Sequence, residues 1–312
     1  MKIAGALTAL LLLNGCAAAP DLRDTRSASA PSHALLDAVP FHPQTDYQCG
    51  PAALAMALQA SGADASVETL IPQVFLPGRE GSVQPEMTAA PRRHGRISYP
   101  VGGELSNLLE QIDAGHPVIV LQNLSLPIYP LWHYAVVVGY DLDAGALILH
   151  SGTEARRRVP LGTFDKTWAR GKRWAMVALP PEELPAGIGP LAALAAIHDF
   201  ERVAGPAATL PAWVTATERW PDASNGWFAR GNAHYATGDR DAAHAAFTAA
   251  VHADAAHAPA WINLGTLYEE LGAPERARRA LETAAAIDGP WQAVATDALA
   301  RLRTDPAPAP LE

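Results

Sequence analysis

Gln44-Thr45-Asp46-Tyr47-Gln48-Cys49-Gly50-Pro51-Ala52-Ala53-Leu54 is the stretch from which the fold of this chain is read. Gly50–Leu58 has the composition of a helix that ends near Gly62, and Pro51 suits a first turn, where its missing N–H costs nothing. Leu54 and Leu58 fall on one face and would bury it. Cys49 then stands at the helix N-terminus, where the positive end of the dipole favours a thiolate. Downstream, Trp132-His133-Tyr134 leads into Ala-Val-Val-Val-Gly139-Tyr140, so a histidine opens an apolar strand. A thiol at a helix start and a histidine at a strand start are the two parts that a cysteine nucleophile needs.

Working outward, residues 104–114 read as a helix that leads into a short apolar strand over 117–121. Strand 133–140 follows, then a turn at Asp143-Ala-Gly145, a strand over 146–150 and another over 174–179. A nucleophile-bearing helix followed by an antiparallel sheet that carries the histidine is the element order of papain-like folds. Pro180, Pro181, Pro185 and Gly187 mark a boundary, beyond which the chain is rich in alanine and helical. We expect an α+β papain-like domain over 36–181, a linker over 182–188 and an all-α region over 189–303.

The all-α region repeats. Trp227 and Trp261 lie 34 residues apart, and at the same offset Gly231 matches Gly265, Gly238 matches Gly272, Ala243 matches Ala277, Phe247 matches Leu281, Ala250 matches Ala284 and Asp254 matches Asp288. This period resembles the tetratricopeptide repeat, a helix–turn–helix unit, clearest over 224–290. The small residues would let paired helices approach, and Gly238 and Gly272 fit the turn between them. Trp213, Ala216 and Pro221 suggest an earlier degenerate copy starting near Gly189. A last helix over 290–302 would cap the stack. The resemblance implies a protein or peptide partner on the concave face.

The N-terminus sets the expected compartment. Lys2 precedes an apolar run, Ile3–Leu13, too short to span a bilayer and shaped like a secretory signal. It ends in Leu13-Asn14-Gly15-Cys16, which resembles the bacterial lipobox and implies cleavage before Cys16 and lipidation of its sulfur. Ala17 follows, where an aspartate would imply inner-membrane retention, so the expectation is an outer-membrane anchor facing the periplasm. Residues 1–15 are then the signal, 16–35 a tether and 304–312 a flexible tail. The chain has 312 residues, two cysteines and a formal charge of −9. With Cys16 lipidated, Cys49 has no internal partner in an oxidising compartment. No long basic run is present, which argues against nucleic acid as a partner.

The stretch around the nucleophile is more specific. Gln44, Cys49-Gly50-Pro51-Ala52-Ala53-Leu54, Gly115-His-Pro117-Val-Ile-Val120 and His133-Tyr134 with Val138-Gly139-Tyr140-Asp141 resemble the bacteriocin-leader (double-glycine) peptidases, a papain-like cysteine peptidase family, over about residues 38–180. The resemblance implies Cys49 as nucleophile, His133 as general base, and Gln44 with the Cys49 backbone N–H as oxyanion donors. Two departures stand out. Gln44 precedes Cys49 by five residues where the family usually has six, and Gln48 competes for the role. Where the family has an orienting aspartate, this chain has Ser151, whose hydroxyl can fix a histidine tautomer but supplies no negative charge. Asp141 and Asp143 lie nearby and read as hairpin-turn residues.

The other histidines have blander readings. His150 alternates to the face opposite Ser151. His42 has no assigned task, and His94 and His116 sit at turns and are expected to be exposed. No metal-ligand spacing occurs, so neither a metal nor a cofactor is expected. Trp132 and Tyr134 are packing residues or a substrate wall. Segments 122–130 and 76–84 are candidate cleft rims. The reading is a lipid-anchored cysteine peptidase acting through a Cys49 thioester, with repeats that recruit substrate or partner. Its alternatives are a hydrolase of peptidoglycan peptides and a degenerate peptidase fold used as a binding scaffold.

Overall fold

The computed structural model of the chain describes residues 30–44 and 48–304. The signal, the lipidation residue Cys16, most of the tether and residues 305–312 of the expected tail lie outside the described residues. The chain enters the fold at strand β1 (His33–Leu35), then forms helices α1 (Cys49–Ala60) and α2 (Val67–Val74). A small hairpin, β2 (Phe75–Leu76) and β3 (Gly81–Ser82), precedes α3 (Gln84–Arg93), β4 (Ile97–Pro100) and α4 (Leu105–Asp113). The sheet is built by β5 (Val118–Asn123), β6 (Trp132–Asp141), β7 (Ala146–Ser151), β8 (Glu154–Pro160), helix α5 (Leu161–Arg170) and β9 (Ala175–Leu179).

The main sheet is antiparallel in the order β4-β9-β5-β6-β7-β8, with β1 added beside β6. Period-two alternation sends Ile119, Leu121, Tyr134, Val136 and Val138 to one face, with α1. Val118, Val120, Ala135 and Val137 go to the other, against α4 and α5. Helix α1 buries more than one stripe: none of Ala52–Leu58 is more than 1% exposed. Its alanines let α2, α3 and the sheet close around it, so in place of the expected single buried face the helix is buried on all sides from Gly50 to Leu58. Strand β6 pairs with β7 on one edge and is long enough to serve two partners on the other, β5 along 132–137 and β1 along 139–141. A side chain at Gly139 would stand 2.5 Å from the Ala34 carbonyl oxygen, so glycine is what admits β1 there. Residues 33–35, expected in the tether, are therefore part of the sheet.

The helical region follows as α6 (Pro190–Ala204), α7 (Pro206–Arg219), α8 (Ser224–Ala236), α9 (Arg240–Ala253), α10 (Ala258–Glu270), α11 (Pro274–Ala285) and α12 (Gln292–Thr304). The matched glycines sit where paired helices touch. A side chain at Gly231 would meet the Phe247 ring at 2.5 Å, and one at Gly265 would meet Leu281 at 2.7 Å. Gly238 and Gly272 take the left-handed conformation that the turns need, with φ of 87° and 66°.

The repeats are not slung from a loose connection. Helix α6 lies against β4, and Ala193, Ile197, Phe200 and Trp213 share one continuous core with the sheet and α4. The connecting segment is pinned as well: Gln111 donates to the Ala186 carbonyl at 2.7 Å and accepts from its N–H at 3.2 Å. Arg92 of α3 reaches Asp199 of α6 at 2.9 Å.

Candidate active site

Cys49 is the first residue of α1, as the Gly-Pro pair after it requires, and it is half-buried. Strand β6 passes beside it, and the thiol is within hydrogen-bond reach of the Tyr134 backbone N–H. Burial pushes the thiol up from its ordinary value, against smaller opposing pulls from the N–H groups of Tyr134, Gly50 and Cys49 itself. His133 is the second residue of β6 and sits 2.9 Å from the Ser151 hydroxyl through Nε2. With Nε2–H donating to Ser151, Nδ1 is left as the acceptor. Burial, with a lesser contribution from Arg157, lowers His133 to about 4. At neutral pH the resting pair is thus an uncharged thiol and an uncharged imidazole. The dipole-stabilised thiolate expected from the sequence gives way to the larger desolvation of the site.

Gln44 is fastened to the turn after β7. Its N–H donates to the Gly152 carbonyl at 2.9 Å, and its side-chain oxygen accepts from the Gly152 N–H at 3.0 Å. The side-chain amide then donates to the Tyr134 carbonyl at 3.3 Å, which leaves its second hydrogen for another acceptor. Gln44, Cys49, His133 and Tyr134 all line one cavity of about 1010 Å3. Gln48, the competing glutamine, does not; its carbonyl caps the helix by accepting from Ala52 N–H at 3.1 Å. The cavity is walled by the β2–β3 hairpin through Arg79–Gln84, by Leu124, Leu131 and Trp132, and by Gly171 and Lys172. Both segments expected at a cleft rim are thus in the wall, although Gln122 and Asn123 belong to β5.

The structure brings Ser151 to His133 and keeps the carboxylates away. Asp141 lies eight residues along β6 from His133, about 26 Å at roughly 3.3 Å per residue. It accepts from the Ala144 N–H and pairs with Arg158, while Asp143 accepts from Ser32 at 3.0 Å. His150 points to the other face, where it meets the Val39 carbonyl at 3.3 Å and the Arg156 N–H at 3.1 Å. His42 bonds Gln59 at 2.9 Å. His94 and His116, expected to be exposed, are instead partly buried, against Gln73 at 3.2 Å and Glu183 at 3.4 Å. Trp132 is half-exposed on the cavity wall, and Tyr134 is buried. Among the described residues no group of His, Cys, Asp and Glu is arranged to hold a metal ion.

Within the segment read as a rim, sequence reasoning did not single out Ser82, which lines the cavity. Ser82 Oγ would be 2.2 Å from a side chain at Gly50, so β3 is pressed onto the first turn of α1. The only local signal was the Gly81-Ser82 pair inside a segment read as rim.

Residues 36–176 match the profile of the peptidase C39-like family, and residues 234–302 match the tetratricopeptide repeat. Comparison with curated proteins gave no match. Among solved structures, a C39-like peptidase from Bacillus anthracis is 17% identical, with a TM-score of 0.41, over 47% of this chain and 97% of its own. The TPR2B domain of yeast Sti1 in complex with pHsp70 is 16% identical, with a TM-score of 0.35, over 37% of this chain and 96% of its own. The protein MamA is 17% identical, with a TM-score of 0.34, over 37% of this chain and 63% of its own. This chain joins a domain of the peptidase C39-like family to a C-terminal region of tetratricopeptide repeats.

Proposed function

We propose that the protein is a cysteine peptidase in which Cys49 attacks a peptide carbonyl. The observation that carries this reading is the convergence of Cys49, His133 and Gln44 on one cavity, with His133 held by Ser151. Because the resting pair is uncharged, His133 Nδ1 takes the thiol proton as the sulfur attacks, rather than beforehand. The oxyanion is met by the free Gln44 amide hydrogen and the Cys49 N–H, a contribution of roughly 3–4 kcal/mol in comparable sites. The imidazolium then gives its proton to the leaving amine, and a thioester remains on Cys49. His133 next deprotonates a water that attacks the thioester, releasing the acid and restoring the thiol.

The repeats would recruit the substrate protein or a partner, and Cys16 would carry an acyl anchor holding the enzyme to the outer membrane. Incorporation of a labelled fatty acid, lost in Cys16→Ser, tests the anchor. The peptidase reading is tested by incubating the full chain with peptide mixtures and searching the Cys49 tryptic peptide for an acyl adduct. Such an adduct, with product formation lost in Cys49→Ala, supports it; persistent cleavage in Cys49→Ala removes it. The uncharged buried pair and the serine at 151 favour one second reading, a binding scaffold, in which Cys49→Ala leaves partner capture through the repeats intact.

A further inference from the structure

Three buried polar atoms around the first turn of α1 have no hydrogen-bond partner among the described residues: Ser82 Oγ, Glu86 Oε2 and the Tyr134 hydroxyl. Buried polar groups are ordinarily paired, so three orphans in one neighbourhood call for an explanation. They arrive from separate elements. Ser82 belongs to β3, and a side chain at Gly50 would stand 2.2 Å from its Oγ and 3.3 Å from Met87 Sδ. The first turn of α3, which holds Glu86 beside Met87, is therefore packed on the residue that follows Cys49. Tyr134 enters from β6 and is only 2% exposed. Its phenol is pushed up chiefly by burial and then by the charges of Cys49 and Glu86, so it lies within electrostatic reach of both. Yet the phenol and the Glu86 carboxylate do not bond each other.

The chemistry of the cluster selects its ligand. Ser82, Tyr134 and Cys49 line the same cavity, so two members of the cluster border the space a substrate would fill, while Glu86 is not among the lining residues and stands behind them on α3. The cluster offers one carboxylate and two hydroxyls, three groups able to accept. The cations of the cavity wall, Arg79 and Lys172, are both exposed to solvent. An ammonium group carries three N–H donors and no acceptor, and so matches three acceptors with one negative charge. We propose that Ser82, Glu86 and Tyr134 form a subsite for a primary ammonium group carried by a substrate residue next to the bond that Cys49 attacks. The subsite rests on the cysteine-peptidase reading, since it is defined by its place beside the nucleophile.

The test uses the thiol as reporter and needs no known substrate. The full chain is treated with 2-aminoethyl, methyl and 2-sulfonatoethyl methanethiosulfonates, and the rate at Cys49 is read from the mass of its tryptic peptide. Each rate is divided by that of the neutral methyl reagent on the same protein, so changes in thiol reactivity cancel. The aminoethyl ratio should exceed that of free N-acetylcysteine at least tenfold, with the sulfonate disfavoured. Glu86→Gln and Tyr134→Phe should each lower it at least fivefold, with Ser82→Ala smaller in effect; thermal melts confirm that the variants fold. A ratio equal to that of the free thiol overturns the subsite and spares the peptidase reading. A fall in Glu86→Gln but not in Tyr134→Phe signals a long-range field and likewise overturns it. Cys49 that reacts with none of the reagents removes the nucleophile reading, and the subsite with it.

Discussion

In the repeats, Gly231 and Gly265 do the same task 34 residues apart, each letting a side chain of the next helix reach its backbone. In the sheet domain no two of Gln44, Cys49, His133 and Ser151 share a period, and each arrives from a different loop or element. The repeat region therefore encodes a packing rule, and the sheet domain encodes a meeting point. A packing rule is redundant, because each interface resembles its neighbour. A meeting point is not, because nothing replaces a missing side chain. The two regions should accordingly fail in different ways when substituted.

The largest effect should come from Cys49→Ala, which removes the meeting point and leaves packing untouched. We expect peptidase turnover to fall by roughly 10^4-fold or more, as for loss of a nucleophile elsewhere, with the thermal melt and the repeat helicity essentially unchanged. Turnover assays beside circular dichroism check both halves of the statement. Next in size is Phe200→Ala. Phe200 is 1% exposed where α6 joins the core of the sheet, and truncating a buried phenylalanine costs about 3–5 kcal/mol. Because this core crosses the boundary, sheet and repeats should lose stability together, in one denaturation transition. Two separate transitions in the wild type would break the picture of a shared core.

What the sequence disclosed follows the same division. The helix pairs of the repeats were legible because their glycines, alanines and aromatics recur at a fixed offset. Cys49 and His133 were legible because Gly-Pro after the cysteine starts a helix and an apolar run after the histidine makes a strand. Ser151 was reached only through the family pattern, and its bond to His133 is what the structure adds. Ser82 and Glu86 were not legible, since β3 is a two-residue strand and its approach to Gly50 depends on tertiary packing. The docking of α6 was hidden for a related reason: Pro180–Gly187 has the composition of a free linker, and its pinning depends on Gln111, some 75 residues away. A helix dipole at Cys49 is visible in sequence, whereas the burial that pushes the thiol up is not.

Gln44→Glu probes the meeting point more gently. The carboxylate keeps an acceptor for the Gly152 N–H, so that anchor of the loop survives, while the amide donors to the Tyr134 carbonyl and to the oxyanion are both lost. Turnover should drop about 10^2–10^3-fold, or roughly 2.7–4 kcal/mol, with substrate affinity little changed. A kcat/KM analysis separates the two, and an affinity loss without a kcat loss would reassign Gln44 to structure alone.

The smallest effect asked for is a gain. Ser151→Asp places a carboxylate on the ring nitrogen that Ser151 now holds, and a negative neighbour raises an imidazole. His133 should climb from about 4 towards its ordinary value of 6.5, and the imidazolium of the transition state should be stabilised. Turnover near neutral pH should rise about tenfold, with burial of the new charge limiting the gain. Stability supplies an independent reading with a definite sign. In the wild type the unfolded chain takes up a proton below about pH 6.5, whereas the folded imidazole resists until about pH 4. His133 therefore costs stability progressively as pH falls through that window. In Ser151→Asp the folded value lies nearer the unfolded one, so the His133 part of the loss should shrink. Melting temperatures from pH 7 to pH 4 measure it. An unchanged slope together with unchanged turnover would mean that residue 151 does not govern the charge of His133, and that the serine is no impediment to a peptidase built on this site.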